Sequence, residues 1–440
     1  MRTVMESSER APWRTHGRQE CWARLGAAFC VAGQARSVQH LRVHMQSRQR
    51  TLKRWLICAI AALLASIGLI AVACGDGQGE AVSPDCAKVE SVAVPTDRGL
   101  TALVVDNSAS TAAGDFPPRT VTELQHAQSR GDALALIAVD GAGKQPAVVK
   151  KIALEPHPGV DSPTADRARP IVLNCVELWA RDEQMQPTAP GSAILDAIAV
   201  AARQNPSTLL VVSDGLNNVG PFDLNVLGFD TPPGPLADDL LAGNNLTPEL
   251  KGRKIIWAGA GESKLALPQP ARTNLTGLWT AVLVKAGATV DFDSQMGKRA
   301  PAPEHLPADP LTVPEVETVP SACGVGKSIP ASLLFPADSA KLLPGADEVL
   351  REIADDLRQR PGTSALIEGH TAAVGDEPGR QRLSDSRAEE VAAALTGMGI
   401  ERSRLAPIGL GAKRLKDAQT PAAAVNRRVE ITVNAKECGR

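Results

Sequence analysis

Tyrosine is absent from these 440 residues, and only 3% of them are aromatic. Ala, Arg, Gly and Pro are abundant instead, which is a coding bias of GC-rich bacteria and carries no fold information. A large excess of charge is also missing. The formal net charge of -2 argues against nucleic acid as the main partner. Histidine is scarce: downstream of residue 74 only His126, His157, His305 and His370 occur, at no spacing suited to a metal site or a catalytic triad. Cysteines are few, and none of Cys86, Cys175, Cys323 and Cys438 stands at CxxC spacing, which argues against a thiolate zinc site. The length leaves room for about two or three domains.

One long apolar run is present. "WLICAIAALLASIGLIAVA", from Trp55 to Ala73, carries no charge, and about 20 such residues just span a bilayer. The basic stretch "MQSRQRTLKRW" precedes it, and "AVACGDGQGE" follows. A basic region, an apolar region and then small residues read as an export signal. "AVAC" resembles the bacterial lipobox, which implies cleavage before Cys74 and lipid on its sulfur. The alternative is an uncleaved membrane anchor. Either reading places the remainder in the cell envelope, outside the cytoplasm. Residues 1–44 have no sustained apolar period and read as a non-native extension, with Met45 as the expected start.

Residues 75–91 are a Gly-rich, polar tether. Strand and helix signals then alternate over residues 92–295. Strands are expected at 99–106, 132–141, 146–154, 207–215, 253–261 and 289–293. Helices are expected at 119–131, after Pro170 in the stretch 166–184, and at 191–204 with Ser192 as its cap. Such alternation implies an α/β fold with a doubly wound, mostly parallel sheet. Residues 296–321 are Pro-rich and read as an extended, semi-rigid spacer. Residues 322–440 form a smaller α+β domain, with "ASLLF" as its first strand.

In "VVDNSAST", Asp106, Ser108 and Ser110 offer oxygen at every second position after a buried strand. Ligands of open α/β sheets bind beyond the carboxyl ends of strands, and hard cations take oxygen donors. Asp214 ends a second such strand in "LLVVSDG". This pattern resembles the von Willebrand factor type A domain and its DxSxS metal-ion-dependent adhesion site. The resemblance implies a Rossmann-type fold over 92–295. It also implies one Mg²⁺, or Mn²⁺ or Ca²⁺, held by Asp106, Ser108, Ser110, Ser192 and Asp214. Ser192, in "GSAILDAI", stands where the family usually has Thr. The alternative is a metal-free set of caps and turns. "GVGKS" at 324–328 echoes a phosphate loop but lacks its first Gly, and Pro330 follows where a helix should begin.

The words "FPADSAKL", "EGHT", "LSDSRAEEV" and "NRRVEI" resemble the OmpA-like peptidoglycan-binding domain. That family grips the diaminopimelate of the stem peptide, with Asp after "GHT" on the ammonium and Arg of "LSxxRA" on a carboxylate. Here Arg387 is kept and Ala372 replaces the Asp. The resemblance implies weakened binding through Arg387, with Asp376 or Asp338 meeting the ammonium and Thr371 of "EGHT" also in the binding site; the alternative is a domain without wall affinity. Losing one charge-assisted bond costs about 1.5–3 kcal/mol.

These readings converge on an envelope lipoprotein that tethers a metal-dependent protein-binding domain to peptidoglycan and captures an envelope protein partner. No nucleophile or base is legible near the metal residues, so no catalytic residue is assigned. A metal-dependent envelope enzyme or subunit, and a purely structural membrane–wall spacer, are the alternatives. Export implies two disulfides among the four cysteines, and pairing within domains gives Cys86–Cys175 and Cys323–Cys438.

Overall fold

The computed structural model describes residues 84–111, 114–157, 159–295, 297–298, 303–321 and 324–433. The apolar run, Cys74, Cys323 and Cys438 lie outside the described residues. Among the described residues no helix is long and apolar enough to cross a membrane.

The first module opens with helix α1 (Pro84–Glu90), followed by β1 (Leu100–Val105), α2 (Pro118–Arg130), β2 (Ala133–Ala138) and β3 (Ala147–Ala153). It continues with α3 (Pro163–Trp179), α4 (Ile194–Arg203), β4 (Thr208–Val212), α5 (Leu224–Leu227) and α6 (Pro233–Ala242). β5 (Lys254–Ala258), α7 (Gln269–Lys285) and β6 (Thr289–Asp293) complete it. The six strands run in the order β3-β2-β1-β4-β5-β6, parallel except for β3. β2 is apolar throughout and β1 is apolar apart from the buried Thr101, because helices cover both faces of the sheet. Ala102, Val104 and Trp257 face one core with α4, α6 and α7; Leu103, Val105 and Leu210 face the other with α1, α2 and α3. Cys86 of α1 and Cys175 of α3 are joined by a disulfide in that second core.

Two local expectations change. α3 begins at Pro163, before Pro170 rather than after it. Ser162 accepts the Ala165 N–H as N-cap and Pro163 suits the first turn, so strong start signals outweigh one interior proline. Ser192 does not cap α4. The N-cap is Ala193, without a side-chain bond, and Asn217 Oδ1 takes the Leu195 N–H instead.

The second sheet has the order β10-β9-β11-β8-β7. Its strands are β7 (Glu317–Ser321), β8 (Gly324–Pro330), β9 (Ala365–His370), β10 (Leu405–Gly411) and β11 (Arg428–Val433), with helices α8 (Ala346–Gln359) and α9 (Glu377–Gly397). "ASLLF" is not a strand: Ala331–Leu333 form a single 3-10 turn, and the strand is the preceding β8. "GVGKS" therefore lies within β8, paired to β7 and β11.

The Pro-rich segment is not a free spacer. Gly191 N–H donates to Ala308 O at 3.1 Å, and Asn225 accepts the Thr312 N–H at 2.8 Å. Leu311, Val313 and Val316 pack against the core. These apolar residues bury area, and proline lowers the entropy lost on ordering. The modules also touch directly. Asn274 of α7 donates to the carbonyls of Ser332 and Phe335 at 3.1 and 3.2 Å, and one continuous apolar cluster runs from Trp279 to Phe335. Both modules and the strap between them belong to one compact unit.

Candidate functional sites

In the first sheet, β1 lies between β2 and β4, so the chain reverses its winding there. The crevice at such a reversal opens at the carboxyl ends of the two strands. Asp106 follows β1, and Asp214 stands two residues past β4; both are fully buried. Asp106 accepts the Ser108 N–H at 3.0 Å, Thr111 Oγ1 at 3.0 Å and Ser213 Oγ at 2.7 Å. Ser108 Oγ lies 3.2 Å from Ser110 Oγ. Asp214 accepts the Leu216 N–H through Oδ1, while Oδ2 is buried with no partner. Ser192 Oγ lies 3.5 Å from Asp309 Oδ2, and Asp309 Oδ1 accepts from Asn218 Nδ2 at 2.6 Å.

Burial raises the pKa of Asp106. Burial and the Asp106 charge push Asp214 up to about 7, and Asp309 adds repulsion on both. A buried orphan carboxylate oxygen, a second buried acid and clustered hydroxyls form a donor set suited to a hard divalent cation. Asp106 and Ser108 are thus linked directly, Ser110 lies against Ser108, Asp214 stands next to the Ser213 that bonds Asp106, and Ser192 lies against Asp309. The sequence reading missed Thr111, Ser213 and Asp309. Thr111 and Ser213 adjoin the motifs in "DNSAST" and "SDG"; Asp309 lies in a Pro-rich stretch with no signal of its own.

The second site is a cavity of about 310 Å³. Arg387, Asp338, Asp376, Thr371 and Ala372 all line it, together with Arg380, Arg427 and Asp230 of the first module. Arg387 projects from α9 and is 2% exposed. It donates Nε to Ser339 O at 2.9 Å and Nη2 to Pro336 O at 3.4 Å, and its guanidinium lies 5.0 Å from the Phe335 ring centre. No carboxylate among the described residues forms an ion pair with it. Burial lowers its pKa, and the Asp230 charge opposes that more than Asp338 does. Asp376 is the N-cap of α9, accepting the Gly379 N–H at 3.3 Å. Asp338 sits at φ +51°, and Thr371 Oγ1 is buried without a partner. Asp230 pairs with Arg427 at 2.8 and 3.0 Å. Neither member of that pair was assigned from sequence, because each gains its role only where the modules meet.

His370 ends β9 beside the cavity residue Thr371. Both its ring nitrogens are buried without hydrogen bonds, with Glu430 3.8 Å away. Glu368 and Glu430 are taken up by Arg414 and Arg428. Burial, then the Arg428 charge, holds the His370 pKa down to about 4, from 6.5 when exposed. Between those values the unfolded chain binds the extra proton, so stability is complete above pH 6.5 and falls as pH drops toward 4. The loss attributable to His370 is about 2–3 kcal/mol. Urea unfolding at pH 7 and pH 4.5 should show that much more acid loss in the wild type than in His370→Asn. Equal losses would exclude a buried neutral imidazole.

Residues 334–428 match the OmpA family. Outer membrane porin F of Pseudomonas aeruginosa is 30% identical over 174 residues, covering 34% of this chain and 49% of that protein. The peptidoglycan-binding protein ArfA of Mycobacterium bovis is 36% identical over 104 residues, covering 23% of this chain and 32% of that one. The chain spans about half or less of the length of these relatives. An outer membrane protein structure from Borrelia burgdorferi is similar at 28% identity and a TM-score of 0.23, covering 27% of this chain and 96% of that one. The specific words of the sequence, the family match and the relatives agree on one assignment: the C-terminal module is an OmpA-like domain.

Proposed function

We propose that this chain is a cell-envelope protein that binds the stem peptide of peptidoglycan in the Arg387 cavity and carries a divalent-cation site in its first module. The observation that carries the first part is the cavity itself. A stem-peptide amino acid bearing an ammonium and a carboxylate needs opposite charges side by side. Arg387 offers a guanidinium whose planar fork matches a carboxylate. Asp230, Asp338 and Asp376 supply acids on the same lining, where Ala372 supplies none. A relative is named for peptidoglycan binding, which supports the same reading. Co-sedimentation with purified sacculi tests it.

The first module reads as a von Willebrand factor type A domain. The strand order with one antiparallel edge strand supports this, as do Asp106, Ser108, Ser110, Ser192 and Asp214 at the winding reversal. Those residues would hold Mg²⁺ or a similar ion, which when bound offers a Lewis-acidic position to a carboxylate. Lipid attachment at Cys74 and capture of an envelope protein belong to the same proposal. Asp106→Ala is expected to abolish Mg²⁺ binding in titration calorimetry while leaving the circular dichroism spectrum unchanged. A wild-type chain that takes up no Mg²⁺ or Mn²⁺ would end the metal reading.

A further inference from the structure

We propose that Asp309, carried by the Pro-rich strap, is an intrachain ligand to the divalent ion of the first module, so that the ion ties the strap down and another protein's carboxylate reaches it only by displacing Asp309. The inference rests on the metal reading above and goes beyond it, because it fills from within the position expected to be open.

Oxygens in octahedral coordination at about 2.1 Å from Mg²⁺ lie about 3 Å from their neighbours. Ser108 Oγ and Ser110 Oγ are 3.2 Å apart, and Ser192 Oγ and Asp309 Oδ2 are 3.5 Å apart. Both oxygen pairs have the spacing of neighbouring ligands on one ion. Asp309 is also built into place. Asn218 Nδ2 donates to its Oδ1 at 2.6 Å, and the same Asn218 accepts the Ser192 N–H through its own Oδ1 at 2.7 Å. Gly191 N–H anchors the adjacent Ala308 carbonyl. One side chain thus sets both Ser192 and Asp309. Asp309 therefore presents a carboxylate oxygen to the hydroxyl of a residue expected to ligate the ion. The independent sign of a missing ligand is Asp214 Oδ2, fully buried and without a partner.

The test uses the full chain and Mn²⁺ alone, with calorimetric affinity and the water-proton relaxivity of the bound ion as readouts. For Asp309→Ala we expect affinity to fall about tenfold to a hundredfold. Relaxivity per bound ion should rise, because water takes the vacated position. Amide exchange in residues 303–313 should slow on Mn²⁺ addition in the wild type and not in the variant. Equal affinity and relaxivity in the two proteins would overturn this inference and leave the metal reading standing. A wild type that binds no Mn²⁺ would overturn both. If Asp309→Ala does not fold, Asp309→Asn keeps the shape, and unchanged Mn²⁺ affinity in it overturns the inference equally.

Discussion

Replacing Arg387 with alanine should release the chain from purified sacculi. The guanidinium is 2% exposed and has no ion-pair partner among the described residues, so its charge is available at the bottom of the cavity. A charged hydrogen bond is worth about 1.5–3 kcal/mol, which is roughly tenfold to a hundredfold in affinity. The loss should reach the upper end, because Arg387 also holds the carbonyls of Ser339 and Pro336, which flank Asp338. Arg387→Lys keeps the charge but not the fork, and should recover only part of the binding. In the other direction, Ala372→Asp places a carboxylate on a lining that already carries Arg380, Arg387 and Arg427, and should tighten binding to diaminopimelate stems. Equal sedimentation of wild type and Arg387→Ala would remove the clamp.

The strands were legible because burial on both faces writes a largely apolar run: "LTALVV" and "TLLVV" are strands as expected. "ASLLF" is as apolar and is a turn, since apolarity records burial and not backbone direction. The β8 run "GVGKSIP" was passed over because glycine, lysine and serine dilute its pattern, and its hydrogen bonds to two neighbours decide the matter. Ser192 was legible as a residue type but not as a role; only the positions of Asn217 and Asn218 show that its hydroxyl is free of capping. Asp309 and Asp230 were not legible at all. Each lies far along the chain from the residues it serves, 117 and 197 positions in the two bonds that reveal them. Pairing at such distance follows from how the modules dock, which no local pattern encodes.

Docking leads to the second large effect. Asp230→Ala should cost about 3–5 kcal/mol, because it strands Arg427 as a mostly buried, unpaired cation where the modules meet. The side chains of Asp230 and Arg427 are 4% and 16% exposed, and Arg427 also donates to Leu227 O at 2.6 Å. The fit is close: Gly228, at φ +75°, faces Ala424 and Arg427, and a Cβ there would come within 2.5 Å of the Ala424 Cβ. A buried pair broken on one side is penalised more than a pair replaced on both, so Asp230→Leu with Arg427→Met should recover much of the loss. The wild type should melt in one calorimetric transition, because one apolar cluster and one compact unit span both modules. In Asp230→Ala that transition should broaden or divide, and sacculus binding should weaken along with it, since the same carboxylate lines the Arg387 cavity. Two well-separated transitions in the wild type, or a loss of less than about 1 kcal/mol in Asp230→Ala, would mean that the modules are stable apart and that the ion pair is worth no more than an exposed one.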